Sequence, residues 1–469
     1  MEENKDKIAV KDVIQVDNEL LNNIADLVKE KASSTLLNLF ADIHSADIAE
    51  IINHSSISNA QYLFELLDTE TAGEVIIEID ENLREKIINK IDPEKLSDII
   101  DELETDDATD ILGELTDEVA DEVLNMMDVE DSNDVKELLK YDEDTAGGIM
   151  SSDFVSIEDT GTIRAAIRAV RNNAEDFEHI YSIYVINSQK VLVGIVTLKS
   201  LLINPLRTKI TSVMQEDLIY VTPDLDQEHV ANVMKKYNLV AIPVVDEDKV
   251  MLGRITIDDI VDVIQEEADE DIQKMAGLSE EQESSDSIFR ISRIRLPWLL
   301  MALIGELLGV FLLSNFEHII AQITIAAFFF PILMAMGGSS GSQAAIVMVK
   351  GIGTGELWFK DSLKKLGKEL MVGIMNGIVI SGILYLATSF FFKDHLFLLV
   401  LAASMITIIV FATMLGATVP LILKKLKLDP AVATGPFVTT SNDILGLIIY
   451  LTYLSIFIFR WWNSPKIIY

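Results

Sequence analysis

The spacing of apolar residues changes twice along the chain. From Asp92 it has a period of twelve, in DPEKLSDIIDEL, ETDDATDILGEL and TDEVADEVLNMM, with apolar side chains at the fifth, eighth, ninth and twelfth places. That spacing predicts a helix of about two turns, then a turn, stacked into an all-α superhelical domain. Further on the pattern becomes strand-like. YSIYVINSQKVLVGIVTLKSLL (181–202) matches VAIPVVDEDKVMLGRITIDDIV (240–261) at a constant offset of 59, pairing Gly194 with Gly253 and Thr197 with Thr256. Each copy predicts strand, turn, strand and helix, preceded by an amphipathic helix at 162–173 or 226–237. Beyond Arg290 five apolar runs follow, 297–316, 319–347, 369–392, 396–423 and 431–459. Each reaches the roughly 20 residues that a membrane-spanning helix needs.

Charge divides the chain at the same place. Of 37 Lys/Arg and 75 Asp/Glu, residues 1–289 hold 23 and 67 and residues 290–469 hold 14 and 8, giving −44 and +6. So acidic a first part repels nucleic acid and attracts cations. The absence of cysteine removes disulfides, thiolate metal sites and cysteine nucleophiles. MEENKDKIAVKDV has no apolar core after a basic start, so no cleaved signal is expected and the acidic part is placed in the cytoplasm. Five spans then put the termini on opposite sides of the bilayer. The inner flanks hold Arg290, Arg293, Arg295, Lys350, Lys360, Lys364, Lys365, Lys368, Lys424, Lys425 and Lys427, against Lys393, Arg460 and Lys466 outside. The positive-inside rule agrees, and the expectation is a multi-pass protein of the cell membrane.

In GPFVTTSNDILGLIIYLTYLSIFIF, the last run carries Asp443 in its first half. An acid at mid-depth costs roughly 2.5–3.5 kcal/mol on insertion scales, which makes it a functional candidate facing protein or water. The alternative is a protonated acid hydrogen-bonded to a neighbouring helix. Thr439, Thr440, Ser441 and Asn442 put oxygens beside it, and Gly435 and Pro436 can open the helix to expose carbonyls; oxygen ligands suit a hard cation. In the second run MAMGGSSGSQAA (334–345) serves either to line a cavity or to let helices approach closely. Glu306 and Glu369 are weaker candidates, read as acids near an inner boundary within reach of headgroups or of Lys368.

The α/β tandem resembles a pair of CBS domains, whose GxxTxxD pattern binds adenosine ribose. The second copy has Gly253, Thr256 and Asp259 in those places, whereas the first has Ser200 instead of the acid. Acidic helical repeats, the junction YDEDTAGGIMSSDFVSI (141–157), the CBS pair, a charged linker and five spans resemble, in that order, the MgtE family of magnesium channels and transporters. RLPWLL (295–300), GGSSGSQ (337–343) and DPAVATGPFVTTSNDILG (429–446) carry the likeness. It implies a multidomain homodimer: a helical domain at 1–140, CBS domains at 141–207 and 208–265, a linker (plug) helix at 266–294 and a five-helix transmembrane domain at 295–469. It implies a pore in which Asp443 binds hydrated Mg²⁺, lined by Gly435, Pro436, Thr439, Thr440 and Asn442. It further implies closure by cytosolic Mg²⁺ at Asp106, Asp110, Asp226, Glu228, Asp259, Asp262, Glu267, Glu270, Asp271 and Asp429; ATP is a candidate ligand of the CBS pattern, the alternative being that both of its loops serve folding only. Mn²⁺ and Co²⁺ are further candidate ions. Ser339 and Ser342 stand where the family often has asparagine, and Gly435 where a larger polar residue can occur.

Four other readings are weighed. A carrier coupling a divalent cation to H⁺ or Na⁺ needs a second ionisable membrane site, for which only Glu306 or Glu369 is at hand. A membrane-anchored cation sensor leaves Asp443 unexplained, and the pore acid disfavours an anion channel. An enzyme is not expected: no GxxxxGK[ST] loop occurs, and the six histidines show no metal-ligand spacing.

Overall fold

The computed structural model describes residues 16–174, 177, 179–278, 287–354, 362–433 and 435–462, and the chain divides into two compact units at Ile264/Gln265. Lys360 and Lys466, and the side chains of Pro436 and Arg460, lie outside the described set.

The first unit begins with α1 (Asn18–Lys29) and continues through α2 (Ser33–Phe40), α3 (Ser45–Asn53), α4 (Ile57–Glu65), α5 (Thr69–Ile77), α6 (Glu81–Ile88), α7 (Pro93–Ile100), α8 (Thr105–Gly113), α9 (Asp117–Leu124) and α10 (Val129–Leu138). From α2 onward every helix starts twelve residues after the one before, so the period read at Asp92 extends back to Ser33. Turn residues set the starts: Asp68 accepts a hydrogen bond from the Thr71 amide at 2.9 Å and Asp92 from the Glu94 amide at 3.1 Å. The periodic positions form the core, with Leu63, Phe64, Val75, Ile76, Leu96, Ile99, Ile111 and Leu112 all buried. Arg84 occupies one of those inward places, where its guanidinium is held by the buried carboxylate of Glu114 and by the Ile77 carbonyl at 3.2 Å.

The tandem follows as β1 (Ser156–Glu158), α11 (Ile163–Asn172), β2 (Ser182–Ile186), β3 (Leu192–Thr197), α12 (Leu198–Ile203), α13 (Gln227–Tyr237), β4 (Ala241–Val245), β5 (Met251–Thr256) and α14 (Ile257–Ala276). The two hairpins keep the offset of 59 strand for strand. β1 pairs parallel with β2, and β2–β3 and β4–β5 are antiparallel. Equivalent turns close both: Asn187 Oδ1 accepts from the Gln189 and Val191 amides, Asp246 Oδ1 from those of Asp248 and Val250. Lys190 and Lys249 both sit at φ 61° beside them. Gly253 is required by a close approach, since a Cβ there would meet the Ser151 carbonyl at 2.5 Å, and Ser151 and Arg254 exchange backbone hydrogen bonds at 2.8 Å.

In the second unit, α15 (Ile288–Asn315), α16 (Glu317–Gln322), α17 (Phe330–Gly353), α18 (Ser362–Ser389), α19 (His395–Lys425) and α20 (Pro436–Trp462) supply five helices long and apolar enough to span a membrane, α17 being extended by a 3₁₀ turn at Thr324–Phe329. The first span begins upstream of its apolar run, so Arg290, Arg293 and Arg295 lie on the helix itself. α19 is the most enclosed, with Leu398, Leu401, Met405 and Ile409 fully buried. Without a hydrophobic drive between helices in lipid, close backbone approach does the packing: Gly373 and Gly377 of α18 lie against Thr413 and Ile406 of α19, and Gly416 lies on the Gly341 backbone.

Candidate ion pathway and acidic contacts

The small-residue segment of α17 is a packing surface. Gly337 receives Ile408 of α19, Gly338 faces Thr439 of α20, and Gly341 is covered by the Asn442 amide. A side chain at Gly337 would meet Ile408 of α19, and one at Gly341 would meet the Asn442 amide of α20. Of the residues expected to line the pathway, those whose side chains are described fall on different sides. Thr439 is exposed, Thr440 sits half-buried over Gly305 of α15, and Asn442 is buried with neither amide atom bonded to protein. Pro436 opens the helix, whereas Gly435 lies just ahead of it, where a Cβ would come within 3.2 Å of the Gly277 amide.

Asp443 is half-buried, and its carboxyl lies close enough to that of Glu306 on α15 for the two to repel or to share a hydrogen bond. Ionised carboxylates are acceptors only, so the contact needs a cation or a proton between them. Glu306 was discounted in the sequence by its distance from the inner flank, but it lies nine residues past Pro297, well inside the span. Glu369 does behave as a boundary acid, although its partner is Lys365, one turn away at 3.6 Å, and not Lys368.

At the end of α14 the linker carries Glu267, Glu270 and Asp271. Lys274 on the same helix reaches Glu270 Oε1 at 2.5 Å and Asp429 Oδ2 at 2.7 Å, tying the linker to the residues ahead of α20. Burial opposes the ammonium charge, but the two carboxylates outweigh it and raise the pKa of Lys274. Burial, then the nearby charge of Asp429, raises that of Asp271.

In the first unit the acids meet where the helical repeats touch the CBS pair. Asp106 on α8 is buried, and burial together with Asp107, Asp259 and Glu104 drives its carboxyl well above the usual range. Asp110 follows one turn later, exposed. Asp259 is raised mainly by burial, although the Thr256 hydroxyl and amide donate to it at 2.6 and 3.0 Å. Asp262 is raised by partial desolvation and then by Glu78 of the repeat. Glu104, which sequence reasoning missed, is pushed to about 7 by burial even though both its oxygens accept from Arg254 at 2.9 Å. Its only signal was an acid one residue ahead of α8, an ordinary helix-start feature.

A second grouping stands at the start of α13. Asp226, Glu228 and His229 bring ligand atoms within 4.8 Å of one another, with His229 Nδ1 3.2 Å from Asp226 Oδ1. This corrects the reading that no histidine has ligand spacing, because the i, i+3 pair on a helix N-terminus falls outside the usual His-to-His patterns.

A membrane domain with an acid inside its last span, joined to acidic helical repeats and a CBS pair, defines a CBS-bearing cation transporter. Comparison with known proteins gives the family. The models described as "MgtE intracellular N domain", "CBS domain" and "Divalent cation transporter" match residues 43–144, 146–206 with 210–266, and 330–453 respectively. The magnesium transporter MgtE of Thermus thermophilus is 33% identical over 68% of this chain and 71% of its own, and that of Bacillus subtilis 35% over 69% and 72%. The crystal structure of the cytosolic domain of the Mg²⁺ channel MgtE in complex with ATP is 28% identical, covers 52% of this chain and 99% of its own, and superposes with a TM-score of 0.50. The chain belongs to the MgtE family of magnesium transporters, which are not enzymes. It is a membrane protein whose helical and CBS domains are cytosolic.

Proposed function

We propose that this protein imports Mg²⁺ down its electrochemical gradient as a homodimer whose pore acid is Asp443, and that cytosolic Mg²⁺ closes it. The observation that carries the reading is a carboxylate half-buried in the last membrane helix with polar side chains and a second acid around it. Mg²⁺ gives up its water reluctantly and meets proteins through one or two carboxylates, so acids accepting hydrogen bonds from a hydrated ion suit it. Mn²⁺ and Co²⁺ are the competing ions.

Closure follows from the acidic contacts. Asp106 lies near Asp259 with Asp110 one turn on, Asp262 lies near Glu78, Asp226 and Glu228 stand with His229, and Glu270, Asp271 and Asp429 gather at Lys274, with Glu267 earlier on the same helix. Like charges crowded across a contact repel until a divalent ion neutralises them, so each ion taken up favours the docked form. ATP is the ligand we assign to the CBS pair, at Gly253, Thr256 and Asp259, beside the small cleft of Phe154, His179, Tyr181 and Arg254. Its phosphates must compete with Glu104 for the Arg254 guanidinium.

Mg²⁺ uptake by liposomes holding the full-length protein, with no ATP or imposed H⁺ or Na⁺ gradient, tests the reading. Flux should follow the Mg²⁺ gradient, fall as Mg²⁺ on the cytosolic side rises, and drop to background in Asp443→Asn. Flux that requires a proton or Na⁺ gradient, or that survives the substitution, would overturn it.

A further inference from the structure

Glu306 is the one feature of the first span that an apolar helix has no use for. It stands nine residues beyond Pro297, about 14 Å along the helix axis, too deep for a short carboxylate to reach headgroups from the inner side. Its outward neighbours Leu303, Leu307 and Val310 are more than half exposed, as suits lipid or a second copy. The adjacent face is different. Gly305 and Gly309 are buried where Thr440 and Leu447 of α20 sit on them, so α15 and α20 approach closely at this level. Glu306, itself exposed in the single chain, is thereby delivered to the edge of α20, beside the Asp443 carboxyl.

Two acids in contact at mid-membrane are costly when left without a cation, each at roughly 2.5–3.5 kcal/mol on insertion scales, and no lysine, arginine or histidine is present on α20 before Arg460 or on α15 after Arg295. We propose that Glu306 is the second carboxylate of the ion pathway, so that each protomer offers the passing cation a Glu306–Asp443 pair instead of a single acid. This rests on Asp443 being the pore acid. The chemistry fits a divalent ion that keeps its inner water: two adjacent carboxylates accept hydrogen bonds from neighbouring waters of one hydration shell, and the added negative charge favours a 2+ ion over a monovalent one. Glu306 therefore raises affinity and rejects monovalent ions, whereas Asp443 is indispensable.

The test is the concentration dependence of Mg²⁺ flux, together with the Na⁺ current carried when Mg²⁺ is withdrawn, through full-length protein in bilayers. Wild type, Glu306→Gln, Glu306→Asp, Asp443→Asn and the outward control Leu303→Ala are compared. Glu306→Gln should raise the half-saturating Mg²⁺ concentration about tenfold with maximal flux retained, and increase the Na⁺ current relative to Mg²⁺ flux. Glu306→Asp should fall between it and wild type, and Leu303→Ala should match wild type. If Glu306→Gln assembles and leaves half-saturation and ion preference unchanged, the proposal is overturned. Should that variant not assemble, an unshifted Glu306→Asp overturns it equally, because a carboxylate drawn back by one methylene cannot keep the same contact. Normal conduction by Asp443→Asn removes the pore reading and this inference with it, whereas loss there combined with an indifferent Glu306→Gln removes the inference alone.

Discussion

Single residues show where a repeat pattern misleads. Arg84 stands at the fifth place of its twelve-residue unit, an apolar position in its neighbours, and the structure spends it on Glu114 inside the stack. Burial raises the pKa of Glu114, and Arg84 works against that rise. Arg84→Met should leave the carboxylate buried and unpaired, at a cost of about 3 kcal/mol near neutral pH. The sign with pH follows from linkage: a raised folded-state pKa means the folded form holds its proton longer, so the loss is largest at neutral pH and shrinks as pH falls toward the ordinary value of 4.5 and the acid is neutralised. Hydrogen exchange of the α6 and α8 amides in the full-length protein, compared at pH 7 and near pH 5, measures it. Equal loss of protection at both would rule out the unpaired charge as the cause. The same scale marks what the sequence shows and hides. Asp443 was legible because an acid in an apolar run is conspicuous; Glu306 was equally conspicuous but was judged by its distance from a flank, and only the crossing of α15 over α20 shows what it touches.

At the scale of elements the helical repeat was legible only in its acidic half. Upstream units keep the apolar places but not the acidic filling that made the later ones look alike, so the period from Ser33 emerged only from the helix starts. The hairpins of the CBS pair were readable to the residue, because alternation and turn residues are local properties. The glycine segment of α17 was ambiguous in principle, since lining a cavity and packing a helix call for the same small residues. The linker is where an element acts as a whole. Lys274 holds α14 to Asp429 through a partly exposed pair, for which about 0.5–1 kcal/mol is typical, or two- to fivefold in a conformational equilibrium. If the linker holds the pathway shut, Lys274→Met should raise Mg²⁺ flux by about that factor at low cytosolic Mg²⁺. The difference should vanish at high Mg²⁺, where an ion takes the place of the ammonium among Glu270, Asp271 and Asp429. Unchanged flux at low Mg²⁺ would show that this tie does not restrain opening.

Across the whole molecule the decisive property is the segregation of charge, −44 in the first 289 residues against +6 in the rest. Composition made the membrane and acidic parts legible, and the order of the parts pointed to the family; which acids meet was invisible, because Glu104, Asp106 and Asp259 come together only where the start of α8 bonds to Ser151, Ser152 and Asp153 and Glu104 meets Arg254 of β5. In the proposed closure, that meeting point is where a cation would act on otherwise ordinary acidic surface. Burial places Glu104 at about 7 against an ordinary 4.5, so the folded form binds more protons than the unfolded form between those values. Its contribution is therefore complete below about 4.5 and is lost as pH rises through 7, and the buried Asp106 and the partly buried Asp259 act in the same direction. Without divalent ions, protection of the α8 amides in the full-length protein should decline from pH 5 to pH 8. Millimolar Mg²⁺ should abolish most of that decline, since an ion among the carboxylates stabilises the ionised form that desolvation penalises. A decline that Mg²⁺ leaves untouched would mean that the buried acids tolerate their own repulsion without a cation, and the sensing surface would then have to be sought at Asp226, Glu228 and His229 instead.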